Sequence, residues 1–172
     1  MDSETRQEFA SWMDSYLRKC CPELERPLLA AIDAFDDIQS GGPSDKHNLK
    51  PLVDAASSDR VPLYENATNL LGRLALTQPC ARDAIAEMTK DSQAHVRFNA
   101  VLCVSESAPG SFGRAIVSNA LLDPSSRVRE KAADWASRCS MKDLVTELRE
   151  ALNREPSEKV RRCLEYSIKA LR

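Results

Sequence analysis

The sequence predicts an all-α fold of stacked antiparallel helix pairs, and three observations carry that expectation. Glycine is scarce at 5 residues while Ala, Leu, Glu, Arg and Lys abound, and few Val/Ile/Thr-rich alternating runs read as strands. Apolar residues recur at helical spacing along nearly the whole chain. From residue 48 onward the pattern itself repeats, with a period of about 32 residues. At 172 residues, 42% of them hydrophobic and 29% charged, the chain has the length and composition of one globular domain.

Two helices are expected before the periodic part, forming an N-terminal cap over 1–47. Residues 3–19 place Phe9, Trp12, Met13, Tyr16 and Leu17 on one stripe, with Ser3 as a candidate cap. Cys20-Cys21-Pro22 breaks this helix, and Pro22 suits the first turn of a second one over 23–39. Leu24, Leu28, Leu29, Ala31, Ile32, Phe35 and Ile38 are its apolar residues, and Asp33, Asp36 and Asp37 are expected to face solvent. Ser40-Gly-Gly-Pro-Ser-Asp45 ends it in a surface loop.

Over 48–172 four helix pairs follow. The second helix of each pair aligns at Leu63, Val96, Val128 and Val160, at steps of 33, 32 and 32 residues. Four residues on stand Ala67, Ala100, Ala132 and Leu164; seven on, Leu70, Cys103, Trp135 and Ser167; eight on, Leu71, Val104, Ala136 and Ile168. This is one buried helical stripe written four times, with Ser167 its weak position. The first helices are expected over 48–57, 81–90, 113–122 and 143–154. Pro79, Pro109, Gly110 and Gly113 punctuate the links.

The turn between the helices of a pair carries the most specific signal. Five residues before the aligned Val stands an acid (Asp91, Asp123, Glu155), and one after it an arginine (Arg97, Arg129, Arg161). A carboxylate there can accept from the amides opening the second helix, and an arginine fork can reach the neighbouring repeat. These six residues are therefore expected to form a structural ladder that holds repeats in register. Around Leu63 the pattern lapses, with Ser58 and Tyr64 in place of acid and arginine. Spread along a stack at about 10 Å per helix, such carboxylates do not converge on one catalytic cleft.

With Asp91…Val96-Arg97, Asp123…Val128-Arg129 and Glu155…Val160-Arg161 in register, residues 48–172 resemble the HEAT repeat family. The resemblance implies a right-handed α-solenoid whose second helices line a concave recognition face. On that face the candidate partner-binding residues are Phe98, Asn99, Leu102, Lys131, Asp134, Arg138, Arg162 and Tyr166, with Phe98, Leu102 and Tyr166 as exposed apolar anchors. A mixed-charge surface with aromatic anchors suits a protein partner.

Other classes find less support. Net charge is −2 and no continuous basic stripe runs along the repeats, which disfavours nucleic acid. Charge is uneven: residues 1–47 carry five Lys/Arg against ten Asp/Glu, and 141–172 carry eight against six. There is no Gly-rich phosphate loop, Gly-x-Ser-x-Gly or His-Glu-x-x-His, so neither enzyme activity, a cofactor nor a small-molecule substrate is expected. Six cysteines without a Cys-x-x-Cys pair, and only two histidines, do not compose a metal site. No apolar run approaches the ~18 residues of a membrane span and no signal core follows Met1, so a cytoplasmic protein is expected. The expected function is a non-catalytic protein-interaction module. An immunity protein that neutralises a bacterial toxin is the runner-up. A HEAT-like alkylpurine DNA glycosylase is a third reading, because Trp135, Asp134 and Arg138 lie together, although Trp135 falls on the buried stripe. HEAT-like bilin lyases share the short repeat.

Overall fold

A computed structural model describes residues 17–104 and 110–172 of the chain. Phe9, Trp12, Met13 and Tyr16 of the expected N-terminal stripe, and Pro109, lie outside the described residues. Leu17 is fully buried. Every regular element among the described residues is helical, and the main ones are α1 (Glu25–Gln39), α2 (Lys46–Ala56), α3 (Val61–Ala75), α4 (Pro79–Met88), α5 (Ala94–Leu102), α6 (Ser111–Ala120), α7 (Ser126–Arg138), α8 (Val145–Arg154) and α9 (Glu158–Ala170). Short 3-10 turns, Pro22–Leu24 and Lys142–Leu144, lead into α1 and α8. The second of the expected N-terminal helices thus enters through a tighter turn, with Pro22 at its start. The helices group into two compact units, with the boundary between Ala81 and Arg82.

In the first unit α1, α2 and α3 pack on one another. Leu28, Ala31, Phe35 and Ile38 turn one face of α1 inward, at the i, i+3, i+4, i+7 spacing of an amphipathic helix. Helix α1 ends in a Schellman motif: Gly41 N–H donates to Ile38 O at 3.2 Å and Gly42 N–H to Asp37 O at 2.9 Å. Gly41 takes φ +98°, a left-handed conformation that glycine adopts without a steric penalty. Asp45 then caps α2, its carboxylate accepting from the amides of His47 (2.9 Å) and Asn48 (3.0 Å). Pro62 sits in the first turn of α3, where its missing N–H costs no helical hydrogen bond.

In the second unit the second helices of successive pairs lie side by side, α5 on α7 and α7 on α9, with α6 and α8 packing on their partners α7 and α9. Val96, Val128 and Val160 are buried, as are Ala100, Ala132 and Leu164 four residues on. Ser167 is also fully buried, and its hydroxyl donates toward the carbonyls of Ala133 (2.7 Å) and Cys163 (2.9 Å). The polar residue in the apolar stripe is therefore satisfied by backbone rather than by water. No helix among the described residues is long and apolar enough to cross a membrane.

Candidate interaction site

The ladder fixes the frame on which the site sits. Asp91, Asp123 and Glu155 each accept from the backbone N–H two residues on, those of Gln93 (2.8 Å), Ser125 (2.8 Å) and Ser157 (2.9 Å). That bond closes the turn before the second helix, the local role of an Asx-type cap. The arginines add the long-range link. Arg97 donates through Nε and Nη2 to both carboxylate oxygens of Asp123, at 2.7 and 3.0 Å, while its Nη1 donates to the carbonyls of Asp91 and Ser92. Arg129 does the same one repeat on, gripping Glu155 at 2.6 and 2.7 Å and the carbonyls of Asp123 and Pro124. Arg161 donates to the carbonyls of Leu152 (3.0 Å) and Glu155 (3.4 Å).

These pairs are withdrawn from water. The Glu155 side chain is 2% exposed and that of Arg129 16%. The hydrogen bonds from Arg129 hold the Glu155 carboxyl below its usual 4.5, outweighing the burial that pushes the other way. Bidentate geometry with satisfied lone pairs is the condition under which a buried ion pair holds two elements together.

Across the side-by-side second helices runs a groove of about 500 Å³, floored by Phe98 and walled by α7 and α9. Helix α7 lays a line of cations on aromatic rings. The Arg127 guanidinium stands 4.5 Å from the centroid of Phe98, and Lys131 Nζ lies 5.7 Å from the same ring and 5.3 Å from Trp135. Arg138 stands 5.7 Å from Trp135. Such contacts attract a cation to the ring face by about 0.5–1 kcal/mol at exposed sites. The indole of Trp135 is pinned in turn, its Nε1–H donating to Val104 O at 2.7 Å. Two acids interleave with the cations. Asp134 receives Lys131 (3.2 Å) and Arg138 (3.1 Å), and Glu130 receives Lys159 from α9 (2.9 Å).

Of the sequence-predicted face, Lys131, Asp134 and Arg138 come together here. Arg162 and Tyr166 on α9 are exposed, Tyr166 at 70%, with Arg162 paired to Glu158. Other residues depart from expectation. Phe98 and Asn99, expected to face outward, are buried at 9% and 1%, and Leu102 is half-buried. Helix α5 buries Val96, Phe98, Asn99, Ala100 and Val101, most of its circumference, and the charged ends of Arg127 and Lys131 stand over the Phe98 ring. Phe98 is a floor, not an anchor. Trp135, expected in the buried stripe, is half-buried instead.

Two contributors escaped the sequence reading: Arg127 and Lys159, both lining the groove. Their signal was available. The position just before the aligned Val reads His95, Arg127 and Lys159 in successive repeats, a basic column. Cys163 also lines the groove; burial first, then the nearby Asp134 and Glu130, push its thiol pKa up. Among the described residues no cluster of three or more His, Cys, Asp or Glu side chains converges as metal ligands do.

In the first unit a second, wider groove of about 880 Å³ lies along α1 and α2, with Asp33, Asp37 and Asp54 on its walls and Pro27, Ala34 and Leu63 among its apolar lining. Lys50 pairs with Asp54 there. No protein-family model matches the chain, and no curated protein matches it.

Proposed function

We propose that this chain is a non-catalytic protein-interaction module of the cytoplasm, a right-handed HEAT-like α-solenoid that takes a protein partner on the face formed by α5, α7 and α9. The observation that carries this reading is the groove across these consecutive second helices, whose cations are already posed on Phe98 and Trp135. A surface whose polar groups are positioned before binding loses little side-chain freedom when a partner arrives. Tyr166 and Arg162 extend the face along α9 as an exposed aromatic and an exposed arginine, the residue types that most often anchor protein interfaces.

The test is capture of partners from the source cell by the full chain and by a variant with Lys131, Arg138, Arg162 and Tyr166 changed to Ala. Phe98 is left intact, because truncating a buried aromatic costs about 3–5 kcal/mol and would confound folding with binding. The variant is expected to lose its partners while its circular dichroism is unchanged. Retention of every partner would sink the reading.

A second reading draws on one further observation. Trp135, Asp134 and Arg138, the residue types on which the DNA glycosylase reading rests, do cluster on α7. Asp134 is held there by two cations at 3.1–3.2 Å. A shift of duplex DNA at physiological salt, abolished by Arg138→Glu, supports this alternative; no shift removes it.

A further inference from the structure

The charges of the second-unit groove are not balanced, and the imbalance specifies an occupant. Each acid on its walls has its cation: Glu130 has Lys159, and Asp134 has both Lys131 and Arg138. Arg127 is exposed and no carboxylate among the described residues pairs with it. Its guanidinium carbon stands 4.5 Å from the centroid of the Phe98 ring, a contact that engages no N–H donor in a carboxylate pair and leaves the planar fork of donors for something else. Lys131 stands over the same ring. Two cations beside one ring repel each other, and an anion received by both relieves the repulsion.

We propose, resting on the interaction-module reading, that the segment seated in this groove is an acidic stretch of the protein partner, with an Asp or Glu carboxylate received by the Arg127 fork beside Lys131. A cationic segment would meet Arg127 head-on and could gain a carboxylate only by displacing Lys159, Lys131 or Arg138. A neutral one would offer Arg127 only carbonyl oxygens, which a guanidinium holds less strongly than a carboxylate. Nucleic acid fits less well, because its closely spaced phosphates would be carried onto Glu130 and Asp134, which share the groove with Arg127. A polypeptide spaces its carboxylates and can place one at Arg127 without setting others against those acids. The groove, at about 500 Å³, has room for a few side chains of such a segment. The ladder supports this recognition indirectly: Arg97–Asp123 and Arg129–Glu155 hold α5, α7 and α9 in register, so Arg127 and Lys159 keep their places relative to the floor.

The experiment measures fluorescence anisotropy of labelled peptides of about ten residues against the full chain, where low salt, about 50 mM, leaves charges weakly screened and about 500 mM suppresses them. The probes are a Glu-Ala repeat, its Gln-Ala and Lys-Ala counterparts, and a single-stranded oligonucleotide. The Glu-Ala peptide is expected to bind about tenfold or more tighter than the Gln-Ala peptide, the size of effect of one charge-assisted contact of about 1.4 kcal/mol. Arg127→Glu is expected to remove that preference, and Arg154→Glu, in an exposed pair on α8, to preserve it. Equal binding of the Glu-Ala and Gln-Ala peptides, tighter binding of the oligonucleotide, or indifference to Arg127→Glu overturns the acidic occupant. Partner capture run in parallel separates the two levels. A partner lost by the Lys131/Arg138/Arg162/Tyr166 variant, but kept by Arg127→Glu and not displaced by the Glu-Ala peptide, overturns the acidic segment and leaves the module standing. A partner kept by every variant overturns the module itself.

Discussion

The two units solve the same joint in different ways. In the second unit, an acid closes the turn before each second helix and an arginine carries the link to the next repeat. At the corresponding turn of the first unit stand Ser58 and Tyr64. Ser58 supplies the local half of the joint, because its Oγ accepts from Arg60 N–H at 3.0 Å, the same two-residue reach that Asp91, Asp123 and Glu155 make in their turns. The buried arginine cross-link has no counterpart at Tyr64, and the ion pair that leaves this turn is the half-exposed one from Arg60 to Glu23. Tyr64 is buried at 9%, so that position contributes apolar area instead of an ion pair. The difference teaches that the repeat's consensus fuses two separable functions, a turn cap and a cross-link, and that a serine can supply only the first.

The largest expected effect tests that separation. Arg129→Ala takes the cation away from the Glu155 carboxylate, whose side chain is 2% exposed in the intact pair, the situation in which breaking a buried pair costs about 3 kcal/mol. Arg60 also carries an ion pair, to Glu23 at 2.7 Å, but with side chains about half exposed on both sides. Arg60→Ala is expected to leave the urea midpoint unchanged, because water replaces such a partner at little cost. Equal shifts for Arg129→Ala and Arg60→Ala would mean that the ladder is ornament to the fold.

Much of this frame was legible in sequence for a specific reason. A buried stripe and a turn each repeat with the period of the structure, so Val96, Val128 and Val160 announce one another, and Asp123 announces Glu155. What was not legible depends on the neighbouring helix. Phe98 occupies the same register as Glu130 and Arg162, yet it is buried because Arg127 and Lys131 of α7 lie across it. Trp135 sits in the register of the buried Cys103 and Ser167, but its size and its bond to Val104 O keep it half out. Periodicity assigns a residue to a face, and the side chains opposite decide whether that face is covered.

A smaller effect, acid sensitivity, should follow the ladder. The Glu155 pKa is lowered on folding, so its ion pair adds stability that is complete above its unfolded value, 4.5, and is lost as pH falls through the lower folded value. Glu155→Gln keeps the shape and removes the titration. In thermal melts from neutral to about pH 3, the gap between the wild type and Glu155→Gln is therefore expected to close as protonation proceeds across the carboxylate range. A gap of constant size would show that Glu155 does not contribute through its charge.

The smallest effect compares helix ends. The left-handed position after α7 is held by Ser140 at φ +51°, with Ser140 N–H donating to Ser137 O at 3.1 Å and Met141 N–H to Ala136 O at 2.9 Å. This is the motif that Gly41 and Gly42 build after α1, made here with a residue whose Cβ crowds the backbone. Its hydrophobic clasp is present, because Met141 and Ala136 are both buried. Ser140→Gly is expected to stabilise the chain by about 0.5–1 kcal/mol, since the strain removed slightly exceeds the backbone freedom that glycine adds to the unfolded state. Gly41→Ala is expected to destabilise it by a similar amount: an added Cβ meets no atom within 4 Å there, so the cost is conformational alone. Opposite signs in the urea midpoints of these two variants would establish that both units end these helices by the same device, with glycine in one and a strained serine in the other. A loss of stability in Ser140→Gly would instead show that the serine side chain contributes more than its backbone strain costs.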